Sequence, residues 1–185
     1  MWLFPHLHNA LCDNVAAGLA LAPDQYMRCW AGVQARLFTE SQILQGFIRE
    51  QSINLGAVPS ETEIQGSGVL CLVGGRRDHF WRRHDGLAAI LSRDRSRLAV
   101  NPIYRTNNHN GAVRLQMAWP SRMLKAECAN AEEYLPRECT VDGSLLDRLN
   151  KGVTTEQDGP AIEGLVRSFV LVHLPPNYGC PGRGE

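Results

Sequence analysis

The 185-residue sequence lacks an excess charge of one sign, a long apolar run and a recognisable nucleotide or protease motif. Nineteen basic residues balance nineteen acidic ones, so no overall field attracts nucleic acid or an anionic membrane. No apolar run is long enough to span a bilayer. The first residues also lack the basic start and small-residue cleavage site of a secretory signal. We therefore expect a cytoplasmic protein without a membrane partner.

Metal-binding spacing is missing as well. The six cysteines never fall within three residues of each other, which excludes a C-x-x-C zinc or redox motif. His6 and His8 form an H-x-H pair, but on a helix their side chains point to different faces. We predict no metal site.

The stretch from Thr39 to Gly75 carries the most consistent local signals. Thr39 followed by Gln42 is typical of a helix cap, and Phe38 with Ile43 forms a hydrophobic staple. This pattern predicts a helix that ends near Arg49, then a short strand over 53–58 and a second strand over 62–73. Because residues 69–73 are all apolar, the second strand is expected inside a sheet.

This order of helix, short strand and buried strand resembles the closing segment of class I S-adenosylmethionine-dependent methyltransferases, over residues 24–76 at most. The resemblance implies that the last two strands pair antiparallel at the edge of a doubly wound sheet. It also implies a small-molecule substrate, with His6, His8 and Tyr26 as the nearest candidates for contact with it. The methyl acceptor itself is not indicated.

A methyltransferase of this class needs a glycine-rich loop after a strand to bind its cofactor, and the sequence has none. Nor does it contain a P-loop, a G-x-S-x-G elbow or an H-E-x-x-H motif. We therefore expect the cofactor-binding half to lie upstream, so that this chain alone is inactive and binds no S-adenosylmethionine. A truncated sheet would leave apolar groups exposed, which predicts self-association through Leu3, Phe4, Leu7, Leu11 and the strand at 69–73.

Together with the flanking regions, these signals predict an α+β fold for the chain, with a partly α/β first domain. We expect helices over 3–20 and 24–37 before the strands, a methyltransferase-like domain over 1–76, an α+β extension over 77–175 and a loose tail over 176–185. Asn110-Gly111 predicts a tight turn between the strands of a hairpin within 98–119. The other expected elements of the extension are helices over 78–91, from Ser121 to about Tyr134, after Asp142 and over 162–169, with 169–174 either helix or strand.

The segment from Arg76 to Arg97 supports a rival hypothesis, a non-enzymatic binding module. Its arginines Arg76, Arg77, Arg82 and Arg83 would contact an acidic or nucleic-acid partner. Interleaved aspartates weaken the positive field, and the apolar spacing equally suits a solvated amphipathic helix. Nucleic acid is therefore the less favoured partner.

Overall fold

The computed structural model describes residues 2–13, 18–76, 78–128 and 132–174, which form two compact units. Of these residues, unit 1 contains those up to Leu87 together with Ser121–Tyr134. Unit 2 contains Ala88–Pro120 and the residues from Leu135 onward. The sequence had suggested a boundary at residue 76. Both units combine helices with small antiparallel sheets, so the α+β prediction is confirmed at that level.

The helices and strands of unit 1 are short. They are β1 (Trp2–His8), α1 (Pro23–Cys29), β2 (Ala35–Thr39), α2 (Glu40–Glu50), β3 (Ile53–Asn54), α3 (Glu61–Gly66), β4 (Val69–Gly74) and β5 (Arg83–His84). The helix α4 (Leu87–Leu91) begins at the last residue of unit 1, and α5 (Arg122–Glu127) belongs to the returning segment.

The sheet of unit 1 has the order β1-β4-β2, and β4 is antiparallel to both neighbours. The side chains of β4 are buried on both faces of this sheet. Leu70 and Leu72 belong to one apolar cluster, against which Tyr26 and Met27 of α1 pack. Cys71 and Val73 belong to a second cluster, against which Ile43 of α2 packs. The expected exposure is therefore wrong for β4 and for Leu7, which packs against the first cluster, whereas Leu3, Phe4 and Leu11 are exposed as predicted.

The first predicted helix is wrong, because residues 2–8 form β1. The four-residue spacing of Leu3, Leu7 and Leu11 fits a helix. The spacing cannot reveal that residues 2–8 are needed as a partner strand for β4. A strand that is apolar on both faces needs neighbours on both sides, and β1 supplies one of them from about 65 residues away in the chain. The second predicted helix is too long, since α1 ends at Cys29 and Gly32 then turns the chain with φ +84°.

The predicted strand pair within 53–73 is also wrong. β3 pairs with β5, and residues 61–66 are helical rather than extended. The cause is local: Ser60 and Glu63 form a reciprocal capping box, each side chain bonding the other residue's backbone N–H. By contrast, α2 begins as predicted, and the Thr39 hydroxyl accepts the N–H of Gln42 at 3.1 Å.

The helix predicted over 78–91 breaks into three pieces. A 3₁₀ turn covers Asp78–Phe80, β5 follows at Arg83–His84, and α4 starts only after Gly86, whose φ is +67°. The apolar spacing of this segment reflects packing of separate short elements and not one continuous helical face.

Unit 2 follows its local sequence signals more closely. Its remaining elements are β6 (Leu98–Val100), β7 (Tyr104–His109), β8 (Ala112–Met117), β9 (Glu138–Asp142), α6 (Gly143–Asn150), α7 (Gly159–Arg167) and β10 (Leu171–His173). The hairpin is confirmed: His109 pairs with Ala112 across Asn110-Gly111, which have φ +47° and +80°. The helix predicted to reach Tyr134 ends at Glu127. The open question at 169–174 is decided, since β10 pairs with β6.

A buried carboxylate stabilises the second half of unit 2. Asp158 is 9% exposed, and its oxygens accept from Arg148 at 2.6 and 3.2 Å and from the Thr155 N–H at 2.9 Å. These hydrogen bonds, first from Arg148 and then from Thr155, hold the pKa of Asp158 well below its usual value. The network joins the end of α6 to the start of α7.

The predicted loose tail lies outside the described residues. Among the helices that the structure does describe, none has the length and apolar character needed to cross a membrane.

Candidate functional site

The pairing of β1 with β4 is interrupted by a bulge. Phe4 pairs with Leu72 and Leu7 pairs with Leu70, so Pro5 and His6 face a single residue, Cys71. His6 adopts φ +57°, in the left-handed region that residues other than glycine enter at a cost of about 1–2 kcal/mol. Bulges of this kind redirect a side chain and are enriched beside functional sites. The bulge therefore makes His6 a candidate functional residue.

The His6 ring contacts a carboxylate from the first residue of α2. Its Nδ1 lies 3.1 Å from Oε1 of Glu40, and the two side chains are 33% and 26% exposed. A carboxylate only accepts hydrogen bonds, so it holds the proton of a neutral ring on Nδ1 and leaves the lone pair on Nε2. Among the described residues no hydrogen bond to Nε2 is found. The arrangement leaves a proton acceptor on a partly exposed ring.

Two further side chains surround this pair. The His8 ring meets the His6 ring edge to face, with centroids 5.1 Å apart. Cys71 is almost fully buried, and burial raises the pKa of its thiol; the charge of Glu40 adds to this rise, while a hydrogen bond from the His6 backbone opposes it. We call His6, His8, Glu40 and Cys71 the bulge site.

No metal ion is indicated there. Within the described ranges, no three His, Cys, Asp or Glu side chains have an arrangement that could hold a metal ion.

Asn9 fixes the end of β1 immediately after the bulge site. It is fully buried, and its Nδ2 donates to the carbonyl oxygens of Ile64, Gln65 and Ser67 at 2.9–3.1 Å. Its backbone N–H donates to Gly68 at 3.0 Å. One side chain thus satisfies carbonyls at the end of α3 and prevents β1 from sliding along β4.

A polar cleft of about 740 Å³ runs along α2, with a volume in the range of small-molecule sites. Its walls include Thr39 and Ser41, the residues on either side of Glu40. They also include Gly68, which precedes Val69, the β4 residue paired with His8. The cleft, called the α2 cleft below, is thus lined by chain neighbours of Glu40 and Val69, but not by any of the four residues of the bulge site. Its other polar walls include Gln42, Gln45, Arg49, Asn54 and Arg83.

The structure brings two of the three expected substrate contacts together. His6 and His8 are in ring contact, whereas Tyr26 reaches only the backbone of that strand. Its hydroxyl donates to the His8 carbonyl at 2.9 Å and accepts the Leu21 N–H at 3.3 Å. Tyr26 also packs against the apolar cluster beneath β1. Its observed role is to hold β1 in place.

The arginines of the binding-module hypothesis have separate local contacts. Arg83 is paired with Glu50 at 3.0 Å and with Asp85 at 2.7 Å. Arg76 lies over the Trp2 ring at 5.8 Å, and Arg82 is exposed. Arg77 lies outside the described residues. The charge of Arg83 is therefore already met by two carboxylates.

Sequence reasoning missed Glu40 and Cys71. Glu40 was noticed only as part of a helix start, and Cys71 only as an apolar strand residue. They lie 34 and 65 positions from His6, and no local pattern links residues so far apart. The one available signal was the H-x-H pair beside Pro5, which a strand with a bulge explains better than a helix.

Comparisons of the chain with known protein families, with curated proteins and with solved structures gave no match.

Proposed function

We propose that unit 1 is the substrate-side part of an S-adenosylmethionine-dependent methyltransferase that acts on a small molecule. The supporting observation is the direction of the strands. β1 and β2 are each antiparallel to β4, so they run parallel to each other, and α1 lies between them in the chain. With α1 against one apolar cluster and α2 against the other, helices cover both faces of the sheet. Doubly wound sheets also have helices on both faces, but the antiparallel strand that many of them carry lies at an edge, whereas β4 lies in the middle.

The bulge site and the α2 cleft support a small-molecule acceptor in this proposal. The cleft has a suitable volume, and its walls offer hydroxyl, amide and guanidinium groups that could fix the orientation of a polar ligand. Methyl transfer depends mainly on alignment of the acceptor, with proton removal as an additional aid.

The residues present do not fit the cofactor. Two of the clustered glycines, Gly74 and Gly75, end β4, and a Cβ on them would meet the rings of Trp2 at 3.3 Å and Phe80 at 3.0 Å. These glycines make room for aromatic side chains and not for a nucleotide. We therefore assign only acceptor-side roles to this chain.

A direct test uses the longest polypeptide encoded by the reading frame that contains this sequence. It would be incubated with methyl-labelled S-adenosylmethionine and a panel of small phenols, catechols and amines. We expect label in at least one acceptor. Absence of transfer, with no glycine-rich strand-to-helix loop in the longer frame, would contradict the proposal.

For this chain alone we predict no binding of S-adenosylmethionine. The reason is the missing glycine-rich loop, which would supply close backbone contacts. Isothermal titration giving a dissociation constant in the micromolar range would contradict both this prediction and the assignment of acceptor-side roles.

A further inference from the structure

We propose that the outer edge of β7 in unit 2 binds an extended acidic peptide segment of another protein, which adds as a further strand to the sheet β7-β8-β9. The proposal concerns unit 2 alone, so it is independent of the function proposed for unit 1.

The first argument is the direction of the backbone groups of β7, a strand that pairs only with β8. The Ala118 N–H, just after β8, donates to Ile103 on the β7 side. The Met117 N–H, one residue earlier, donates to Arg137 on the β9 side. Backbone groups alternate in direction along an antiparallel strand, and the register of β7 with β8 is unbroken. Every second residue of β7 therefore bonds to β8, and the residues between them point away from it.

The residues of β7 that point away from β8 are Thr106 and Asn108. Arg105, Asn107 and His109 are the ones that bond to β8 by the same alternation. Among the described residues, no partner is found for the backbone N–H and C=O groups of Thr106 and Asn108. Such a row of unpaired groups is what an extended peptide pairs with when it adds to a sheet edge.

The second argument is that the packed layer of the sheet ends before β7. Thr106 and Asn108 share a face of the sheet with Leu115 and Val113, their partners on β8. Leu115 and Val113 are buried, whereas Thr106 and Asn108 are exposed. From Arg105 onward, every side chain of β7 is exposed. The flank of β7 is therefore open to an added strand.

The third argument is that β7 lacks the usual protection of an edge strand. Proline, lysine and β-bulges at an edge hinder pairing with other chains. β1, an edge strand of unit 1, has both Pro5 and the bulge described above. β7 contains neither proline nor lysine, and it has no bulge. Its edge is therefore suited to pairing.

The fourth argument is the distribution of charge on the other face of the sheet. Arg105 and His109 lie on this face at the β7 edge, and neither is paired with a carboxylate among the described residues. Arg114 of β8 is instead paired with Glu138 of β9 at 2.7 Å. The second acidic residue of this face, Asp142, is also on β9. Carboxylates of a strand added to β7 would lie beside Arg105 and His109, so the edge favours an acidic partner.

A second copy of β7 fits this edge less well. Antiparallel pairing of Thr106 with Asn108 of another copy would place Arg105 opposite the second copy's His109. The two basic side chains would then meet without a carboxylate between them, and like charges directly opposite each other are destabilising.

The experiment uses a short, terminally blocked peptide of alternating glutamate and valine, titrated into the isotope-labelled chain and followed by NMR. We expect saturable shifts and slower hydrogen exchange at the amides of Thr106 and Asn108. The amides of Arg105 and Asn107 should keep the exchange rates of the free chain, because they already bond to β8. This alternation distinguishes strand addition from a general attraction between charges.

Two proline variants test the backbone contribution. Thr106→Pro removes an outward N–H without loss of a bond to β8, and it should weaken binding, read at Asn108, roughly fivefold. Thr140→Pro is the matched control. Thr140 is the partner of Arg114 on β9 and points away from β8, so this variant changes the opposite edge and should leave binding unchanged.

Two arginine variants test the charge contribution. Arg105→Gln should weaken binding about threefold, the size expected for one exposed ion pair. Arg93→Gln, at an exposed arginine of unit 2 outside the sheet, should have no effect. Circular dichroism melts would establish that all four variants fold.

Absence of saturable binding of the acidic peptide would overturn the proposal. So would binding that leaves the exchange of Thr106 and Asn108 unchanged, because attraction between charges alone would then explain it. Equal affinity for a peptide with lysine in place of glutamate would contradict the acidic partner. A free chain that sediments as a dimer, and as a monomer after Thr106→Pro, would assign the edge to a second copy and reject the proposal.

Discussion

Four described residues other than glycine have positive φ, and two of them, Asn110 and His6, have it for different reasons; the others are Gln51, at the end of α2, and Phe169, before β10. Asn110 has φ +47° in the hairpin turn, next to Gly111 at +80°, and both values are those a two-residue turn requires. His6 has φ +57° inside a strand, opposite Cys71. Asparagine and histidine both enter this region more often than most residues, but a two-residue turn requires it, whereas a strand does not.

The contacts that hold the two residues in place differ in the sequence separation of the residues that make them. The φ values of the hairpin turn suit its own two residues, and the Gly143 N–H, from the start of α6, also donates to the Gly111 carbonyl at 3.0 Å. The bulge depends on Glu40, 34 positions away, and on Asn9, whose partners lie 55 to 58 positions away. The turn residues themselves thus account for the φ of Asn110, whereas His6 is held by tertiary contacts.

The largest expected effect comes from the residue that holds the bulged strand. Asn9→Ala should destabilise unit 1 by about 2–3 kcal/mol, because it leaves buried carbonyl oxygens without their donor. Urea unfolding followed by tryptophan fluorescence reports mainly on unit 1, since Trp2, Trp30 and Trp81 lie there and the fourth tryptophan, Trp119, lies in unit 2. The control Asn108→Ala, at an exposed hairpin position, should change stability by less than about 0.5 kcal/mol. Equal losses in both variants would remove the basis for a specially restrained β1.

Acid should destabilise unit 2 by breaking the ion pair between Asp158 and Arg148, which lie close together in the sequence. Because Asp158 has a lowered pKa in the folded state, its contribution is present above the unfolded value of about 4 and is lost as the pH falls further. Asp158→Asn should lower the melting temperature at neutral pH and flatten its decline in acid. Asp147→Asn, exposed on α6, serves as the control. An acid decline of the parent's size in Asp158→Asn would show that other groups cause it.

Substitutions in the hairpin turn should change the stability of unit 2 by a smaller amount. Gly111→Val should destabilise unit 2 by roughly 1–2 kcal/mol, since a β-branched residue resists the positive φ of this position. Asn110→Gly should be close to neutral, because glycine also suits the turn. Thermal melts of both variants provide the measurement. A Gly111→Val midpoint equal to the parent's would mean that the strands are joined in another way.

The same contrast explains what the sequence could predict. Most caps and turns decided within a few residues were predicted: Thr39 and Ser121 cap helices, Asp142 caps α6 and Asn110-Gly111 forms the hairpin turn. The capping box of Ser60 with Glu63 is equally local but was missed. The identity of residues 2–8 as a strand could not be read locally, because it depends on the need of β4 for a second neighbour. The bulge site could be predicted only in part for the same reason. His6 and His8 were named from their spacing, but Glu40 and Cys71 join them only through the sheet.

The most direct test of a strained His6 compares two substitutions that both remove its ring. His6→Gly should be more stable than His6→Ala by about 1 kcal/mol, because only glycine adopts φ +57° without strain. At Leu3, an exposed position in the same strand, the order should reverse, with alanine more stable than glycine by about 0.5–1 kcal/mol. The quantity measured is the free energy of unfolding from urea titrations of the four variants. Alanine at position 6 proving as stable as glycine, or more so, would contradict the account, because the bulge would then store no strain.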